Sequence, residues 1–422
     1  MTATDGNAAR PAAEDTGGLL TGVRVLDLSL LGPAALASHL VDFGAEVIKI
    51  EAPSGDYVRE MTWPIVEGVS LMHLHINRGK ESLVLDLKAP EALAVFEELV
   101  AKSDVVIEAM RPGFLDKRGF TRERLEQINP AIVFCSISGY GATGPYRDLP
   151  SHGVAYDSWA GQVNPVLDDD GFCRVPDQTN IGITAGPAFG AMAVLAALVR
   201  ARTTGKGAHM EIAQSDAAAY FDWYRIESYR AYEHPEDVVT GNKSDGYERR
   251  KPGLGGMWEG VRYQIYESSD GLVLFMASEQ AFWKNFCEGI DRMDLFEKWP
   301  GKKIADHALG NLELQAILRN VFHTKTTQEW LDFANEHNTT IAPVNTPETI
   351  LDDPQAHDRL TWFPKEELGA DTMAMPVHID GEELPVPHRA PTVGQHSDEV
   401  LRRVLGYDDD QIKHVRATGA LG

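Results

Sequence analysis

Residues 22–51, GVRVLDLSLLGPAALASHLVDFGAEVIKIE, decide how this chain folds. Val23, Val25, Leu26 and Leu28 form a short apolar run suited to a strand buried on both faces of a parallel sheet, and Gly32-Pro33 breaks it. Residues 34–43 then carry apolar side chains at helical spacing. Gly44 stops that helix, and Val47, Ile48 and Ile50 supply a second strand ending on Glu51. The pattern predicts a βαβ unit. No G-x-G-x-x-G follows the first strand, so a nicotinamide or flavin pyrophosphate has no glycine cradle, and neither cofactor is expected.

Downstream the alternation continues. Leu83, Leu85 and Leu87 read as a strand, and Pro90 opens a helix carried by Leu93, Phe96, Leu99 and Val100. Residues 105–107 make the next strand. Thr121 caps a helix that Asn129-Pro130 stops, and the strand at residues 131–137 runs into the glycine-rich turn Ser138-Gly139-Tyr140-Gly141. Residues 185–202 form a long helix rich in Ala, Gly and Leu. Strand and helix in alternation predict an α/β fold, a parallel sheet covered by helices on both faces. The charged, aromatic stretch 223–251 and the loop 251–256 mark a change. A hairpin at 263–266 and 272–276, turning on Ser269-Asp270-Gly271, opens a smaller α+β region, and Pro343, Pro347, Pro354, Pro385, Pro387 and Pro391 punctuate the return. The expected division is a disordered tail at 1–20, a large domain at 21–225, a small domain at 226–340 and a returning segment at 341–422.

With 422 residues the chain is long enough for two cores, and its net charge of −24 argues against non-specific binding to nucleic acid or to an anionic membrane. The three cysteines are far apart and form no C-x-x-C, which signals neither a disulfide framework nor a thiolate metal site; a reducing cytoplasm is the expected location. No run of about 18 apolar residues and no signal-peptide pattern is evident, so no membrane association is expected.

In so acidic a chain an anionic ligand needs a local basic pocket. Arg78, Lys80, Arg111, Lys117 and Arg118 fall after strands or in turns, where parallel sheets bind ligands. His152, in the loop Ser151-His152-Gly153, is a candidate general base, although a lone histidine is more often structural. His73 and His75 alternate as in extended chain with no third ligand nearby, so no metal is expected. G-x-S-x-G, Walker A and H-E-x-x-H are all absent. Composition and spacing therefore reach an α/β enzyme with an anion pocket.

Several motifs in order carry more: NRGKESLVLDLK (77–88), SDVVIEAMRPGFLDKRGF (103–120), INPAIVFCSISGYGATGPY (128–146), VLAALVRARTTGKGAHMEIA (194–213), YESSDGLVLFMAS (266–278) and RAPTVGQHSDEVLRRVLGY (389–407). With residues 22–51 they resemble the class III CoA-transferase family, also called CaiB/BaiF, which includes formyl-CoA transferases and α-methylacyl-CoA racemases. The resemblance implies a Rossmann-like large domain built from both chain ends, a small domain between them, and a homodimer whose chains interlock like rings. It implies coenzyme A, carried as acyl-CoA, as the ligand, with Lys80, Arg111 and Lys117 as its basic contacts; Ala52 stands where some relatives have a further arginine. His152 matches the racemases' catalytic histidine, and Glu279 matches a glutamate that orients their site. The family's catalytic aspartate falls on Ile183, which can act neither as nucleophile nor as base. Asp157 and Asp177 lie within reach in sequence but off the motif. Three functions follow from the resemblance: CoA transfer between an acyl-CoA and a carboxylic acid, chemistry at the acyl α-carbon with His152 as base, or acyl-CoA binding alone. Trp159, Tyr224 and Trp258 are candidate walls of an acyl pocket.

Overall fold

The computed structural model describes residues 17–240, 249, 252–253, 257–301 and 307–421. Six parallel strands form the main sheet: β1 (Arg24–Leu28), β2 (Glu46–Glu51), β3 (Lys80–Val84), β4 (Val105–Glu108), β5 (Val133–Ser138) and β6 (Ala208–Ala213). Their spatial order is 3-2-1-4-5-6, so the chain winds outward from β1 to one edge, returns, and winds outward from β4 to the other. The strand period of two sends alternate residues to opposite faces. Leu26, Leu28, Ile48, Ile50 and Val106 enter one core, under α2 (Pro90–Ala101) and the C-terminal residues Val400, Leu401, Val404 and Ile412. Val25, Val47, Val105, Ile107 and Cys135 enter the other, under α1 (Ala35–Asp42) and the helix Gly182–Thr204, named α3. Both faces are covered, as the near-continuous apolar strands require.

α3 has 23 residues and is long and apolar enough to cross a membrane by length and composition, which no apolar run in the sequence had suggested. Here Ala191, Val194, Ala197, Leu198 and Ala201 pack it onto the sheet. Leu20, which composition assigns to the tail, donates its N–H to the Phe43 carbonyl at 2.8 Å and packs on the same core. Residues 1–16, the rest of that expected tail, and residues 251 and 254–256 of the expected loop lie outside the described residues.

The chain divides into two compact units. One comprises the described residues up to Phe221 and those from Leu360 onward; the other is Asp222–Arg359. In the first, the returning segment is stitched to β3: Ser82 N–H donates to His396 Nδ1 (3.1 Å), Val84 N–H to Ser397 Oγ (3.1 Å) and Gly394 N–H to Ser82 Oγ (2.8 Å). The second unit holds the hairpin β7 (Tyr263–Glu267) and β8 (Leu272–Met276), with β9 (Ile341–Pro343) antiparallel to β8. Residues 341–359 thus belong with this unit rather than with the return, because β9 completes its sheet.

Candidate functional site

In this strand order the chain reverses direction between β1 and β4, and the loops leaving the two strands part there to open a crevice at their carboxyl ends. A cavity of about 650 Å³ occupies that position. Leu30–Pro33 from β1, Ala109–Pro112 from β4 and Ile137–Tyr140 from β5 wall it, with Asn180 and Ile183 at the start of α3. The loop 147–154 closes one side. Its volume suits a small-molecule site.

Two arginines line this cavity. Arg111 sits in the turn after β4, where Phe114 N–H donates to the Arg111 carbonyl at 3.1 Å, and its side chain is exposed and engaged by no described residue. Arg147, exposed on the facing loop, brings Nη2 to 4.0 Å from where a Cβ on Gly113 would stand, which sets it against the same turn. Sequence reading passed over Arg147. It lies in an irregular segment without periodicity, and the only available signal was its place just after Gly144-Pro145-Tyr146.

His152 lines the cavity from the loop, exposed and with its ring engaged by no described residue. Its loop is fixed from beneath: Tyr156 OH donates to the Ser151 carbonyl at 3.3 Å, and Ala155 N–H to the His152 carbonyl at 3.0 Å. Gly139 makes the close approach possible, since a Cβ there would collide with Ser151 Oγ and stand 3.0 Å from Tyr156 Cε1.

The other expected residues scatter. Lys80 is completely buried, and its Nζ donates to Asp27 Oδ2 (2.8 Å), the Ala34 carbonyl (2.7 Å) and Asn77 Oδ1 (3.2 Å). An ammonium has three donors, so Lys80 has none left for a phosphate, and its expected role as a CoA contact gives way to a structural one. Burial alone would raise the Asp27 pKa, but Lys80 and Lys49 overcome it and hold the carboxyl below its ordinary value. Arg78 is similarly committed, bound to both oxygens of Asp42 at 3.0 and 2.6 Å. Arg118 donates to the carbonyls of Leu87 and Phe114 and stacks on the Phe114 ring. Lys117 is exposed on the turn following Arg111, outside the cavity wall. Glu279 is exposed at the start of the helix Gln280–Gly289 in the second unit. His73 and His75 lie on the helix Leu71–Asn77 rather than in extended chain; Ser70 caps it, accepting from His73 N–H at 3.1 Å.

Neither substitute aspartate faces the cavity. Asp157 is completely buried, and its Oδ1 accepts from Ile181 N–H (2.9 Å) and Gly182 N–H (3.0 Å), capping α3 from a distance. Asp177 is exposed and forms no part of the wall. Among the described lining residues the one carboxylate is Asp148, on the exposed loop. Trp159 also lies outside the wall, while Tyr224 and Trp258 belong to the second unit.

Comparison with known proteins places the chain in a family. The sequence profile described as CoA-transferase family III matches residues 20–397. The chain is 30% identical to the succinyl-CoA–L-malate CoA-transferase beta subunit of Chloroflexus aurantiacus, over 94% of this chain and 97% of that one. It is 28% identical to human succinyl-CoA:glutarate CoA-transferase, over 95% and 90%. The crystal structure of a CaiB/BaiF family protein from Brucella suis superposes with a TM-score of 0.72 at 24% identity, covering 92% of this chain and 99% of that one.

Proposed function

The chain belongs to CoA-transferase family III, an enzyme family, and we propose that it moves CoA from an acyl-CoA to a free carboxylic acid. The observation that carries this reading is the crevice at the β1–β4 reversal, a cavity of about 650 Å³ lined by Arg111 and Arg147, whose side chains no described residue engages. In this reading Arg111, Arg147 and Lys117 hold the diphosphate and 3′-phosphate of CoA by charge-assisted hydrogen bonds. Lys80 takes no part.

Ile183 changes the route. With no nucleophile on that side chain, the acceptor's own carboxylate attacks the thioester carbonyl. The C–S bond breaks, CoA thiolate leaves, and a mixed anhydride forms between the two acyl groups. The thiolate then attacks the acceptor-derived carbonyl, giving the new thioester and releasing the original acyl group as its carboxylate. Atoms and charge balance without an enzyme-bound intermediate.

A second reading rests on His152. As the unengaged base in the cavity, it would remove a proton from the acyl α-carbon. The two separate by mass spectrometry of acyl-CoAs incubated in D₂O with the protein and several free acids. New thioester masses support transfer. Deuterium uptake or an altered acyl skeleton, with no new thioester, supports α-carbon chemistry instead and refutes transfer. Further parts of the proposal are an interlocked homodimer, supported by the family resemblance and tested by light scattering for twice the chain mass, and residence in the cytoplasm, tested by cell fractionation.

A further inference from the structure

Past Ile183 the cavity abuts a second one of about 710 Å³, and the two share Gly32, Thr62, Met72 and Ile183. Gly32 and Ile183 meet at the junction, where a Cβ on Gly32 would stand 3.4 Å from Ile183 Cβ, an ordinary contact. The second cavity is walled by apolar side chains, among them Trp63, Leu71, Ile76, Trp362 and Met373. Its ionisable groups are His39, His75 and Asp371. His39 and His75 are both held below the ordinary histidine value, chiefly by burial, His75 at about 4. Asp371 is exposed at the rim, where its Oδ1 accepts from Lys365 N–H at 2.9 Å. Among the described lining residues there is no lysine or arginine.

We propose that this second cavity is the acyl chamber and that the enzyme acts on an apolar acyl group, a medium-chain or aryl-substituted carboxylic residue. The inference rests on the acyl-CoA reading above. Arg111 and Arg147 fix the CoA end in the first cavity, and the shared junction at Gly32 and Ile183 is the way on for the acyl end. A dicarboxylic group of the kind named in the two relatives would bring a terminal carboxylate against Ile183 and Met72 with no cation to receive it, and desolvating an unpaired carboxylate is costly. An alkyl or aryl group meets only surfaces that gain from losing water.

The test is isothermal titration of the full-length protein with free CoA and with acetyl-, succinyl-, phenylacetyl- and octanoyl-CoA. Burial of a methylene strengthens binding about fourfold, so octanoyl-CoA should bind at least about a hundredfold more tightly than acetyl-CoA even if only part of the chain is enclosed. Phenylacetyl-CoA should also gain over acetyl-CoA, and succinyl-CoA should not. Ala188→Trp, which plugs the chamber away from the first cavity, should bring the octanoyl-to-acetyl ratio below about 5. Thr184→Trp, at an exposed position on the same wall, should do likewise and serves if the first variant does not fold. Equal binding of all four thioesters, tightest binding of succinyl-CoA, or an octanoyl preference that survives in a folded plug variant overturns the chamber while leaving the acyl-CoA reading intact. Failure of every ligand to bind, free CoA included, overturns both.

Discussion

Arg111 and Arg147 are exposed and engaged by no carboxylate of the described residues, which leaves both free for a phosphate. Replacing either by alanine should weaken free CoA binding about 5- to 20-fold by calorimetry, the range of one or two charge-assisted contacts near the surface. Unchanged affinity would remove that arginine from the site. Ile183→Asp should introduce a nucleophile that the wild type lacks, so hydroxylamine should trap an acylated side chain in the variant only. Trapping in the wild type would mean that another carboxylate serves. Ile183 itself was legible, because the spacing from Val194–Leu198 fixes its position in α3. Lys80 was not. A sequence shows a lysine after a turn, but not that Asp27, 53 residues earlier, lies buried against it.

Two elements carry the site, and both depend on a buried carboxyl. Glu108, at the end of β4, is 4% exposed and accepts from Leu115 N–H at 3.2 Å across the turn that presents Arg111. Burial, the leading cause, raises its pKa to about 7; Asp116 adds to the rise, while the Leu115 N–H and Arg118 oppose it. The folded protein therefore retains a proton that the unfolded chain loses above about pH 4.5, and stability must fall as pH rises from about 4.5 to 7. Glu108→Gln should remove that fall, gaining roughly 2–3 kcal/mol on wild type between pH 5 and pH 8 in urea titrations. Parallel curves for the two proteins would contradict the assignment. Asp157 does the corresponding work for α3, and Asp157→Ala should cost about 2 kcal/mol by leaving two N–H groups at the helix start without their acceptor. The strands and helices of the sheet were readable from periodicity and caps, as at Pro90 and Thr121, because both are local signals. The helix holding His73 and His75 was hidden, since only seven residues form it and its polar histidines obscure the apolar face.

Across the whole molecule, the 3-2-1-4-5-6 order creates the crevice, and the C-terminal segment seals the sheet behind it. Arg403 of that segment pairs with Glu46 on β2 at 2.6 Å and with Glu81 on β3 at 2.5 Å. Ending the chain at residue 396 removes these pairs and uncovers Leu26, Ile48 and Phe96, so the truncated protein should lose its cooperative thermal transition; an unaltered transition would refute a structural role for the segment. The return of both chain ends to one unit was legible through resemblance rather than periodicity, because pairings such as Ser82 with His396 span some three hundred residues. The central claim is transfer of CoA without a carboxylate on the chain as nucleophile. A single turnover with enzyme in excess, unlabelled acyl-CoA and an acceptor acid bearing ¹⁸O in both carboxylate oxygens tests it directly. Direct attack predicts that the released acid carries one ¹⁸O from the acceptor in its mass spectrum. Released acid without ¹⁸O, and ¹⁸O on a protein side chain, would contradict the claim.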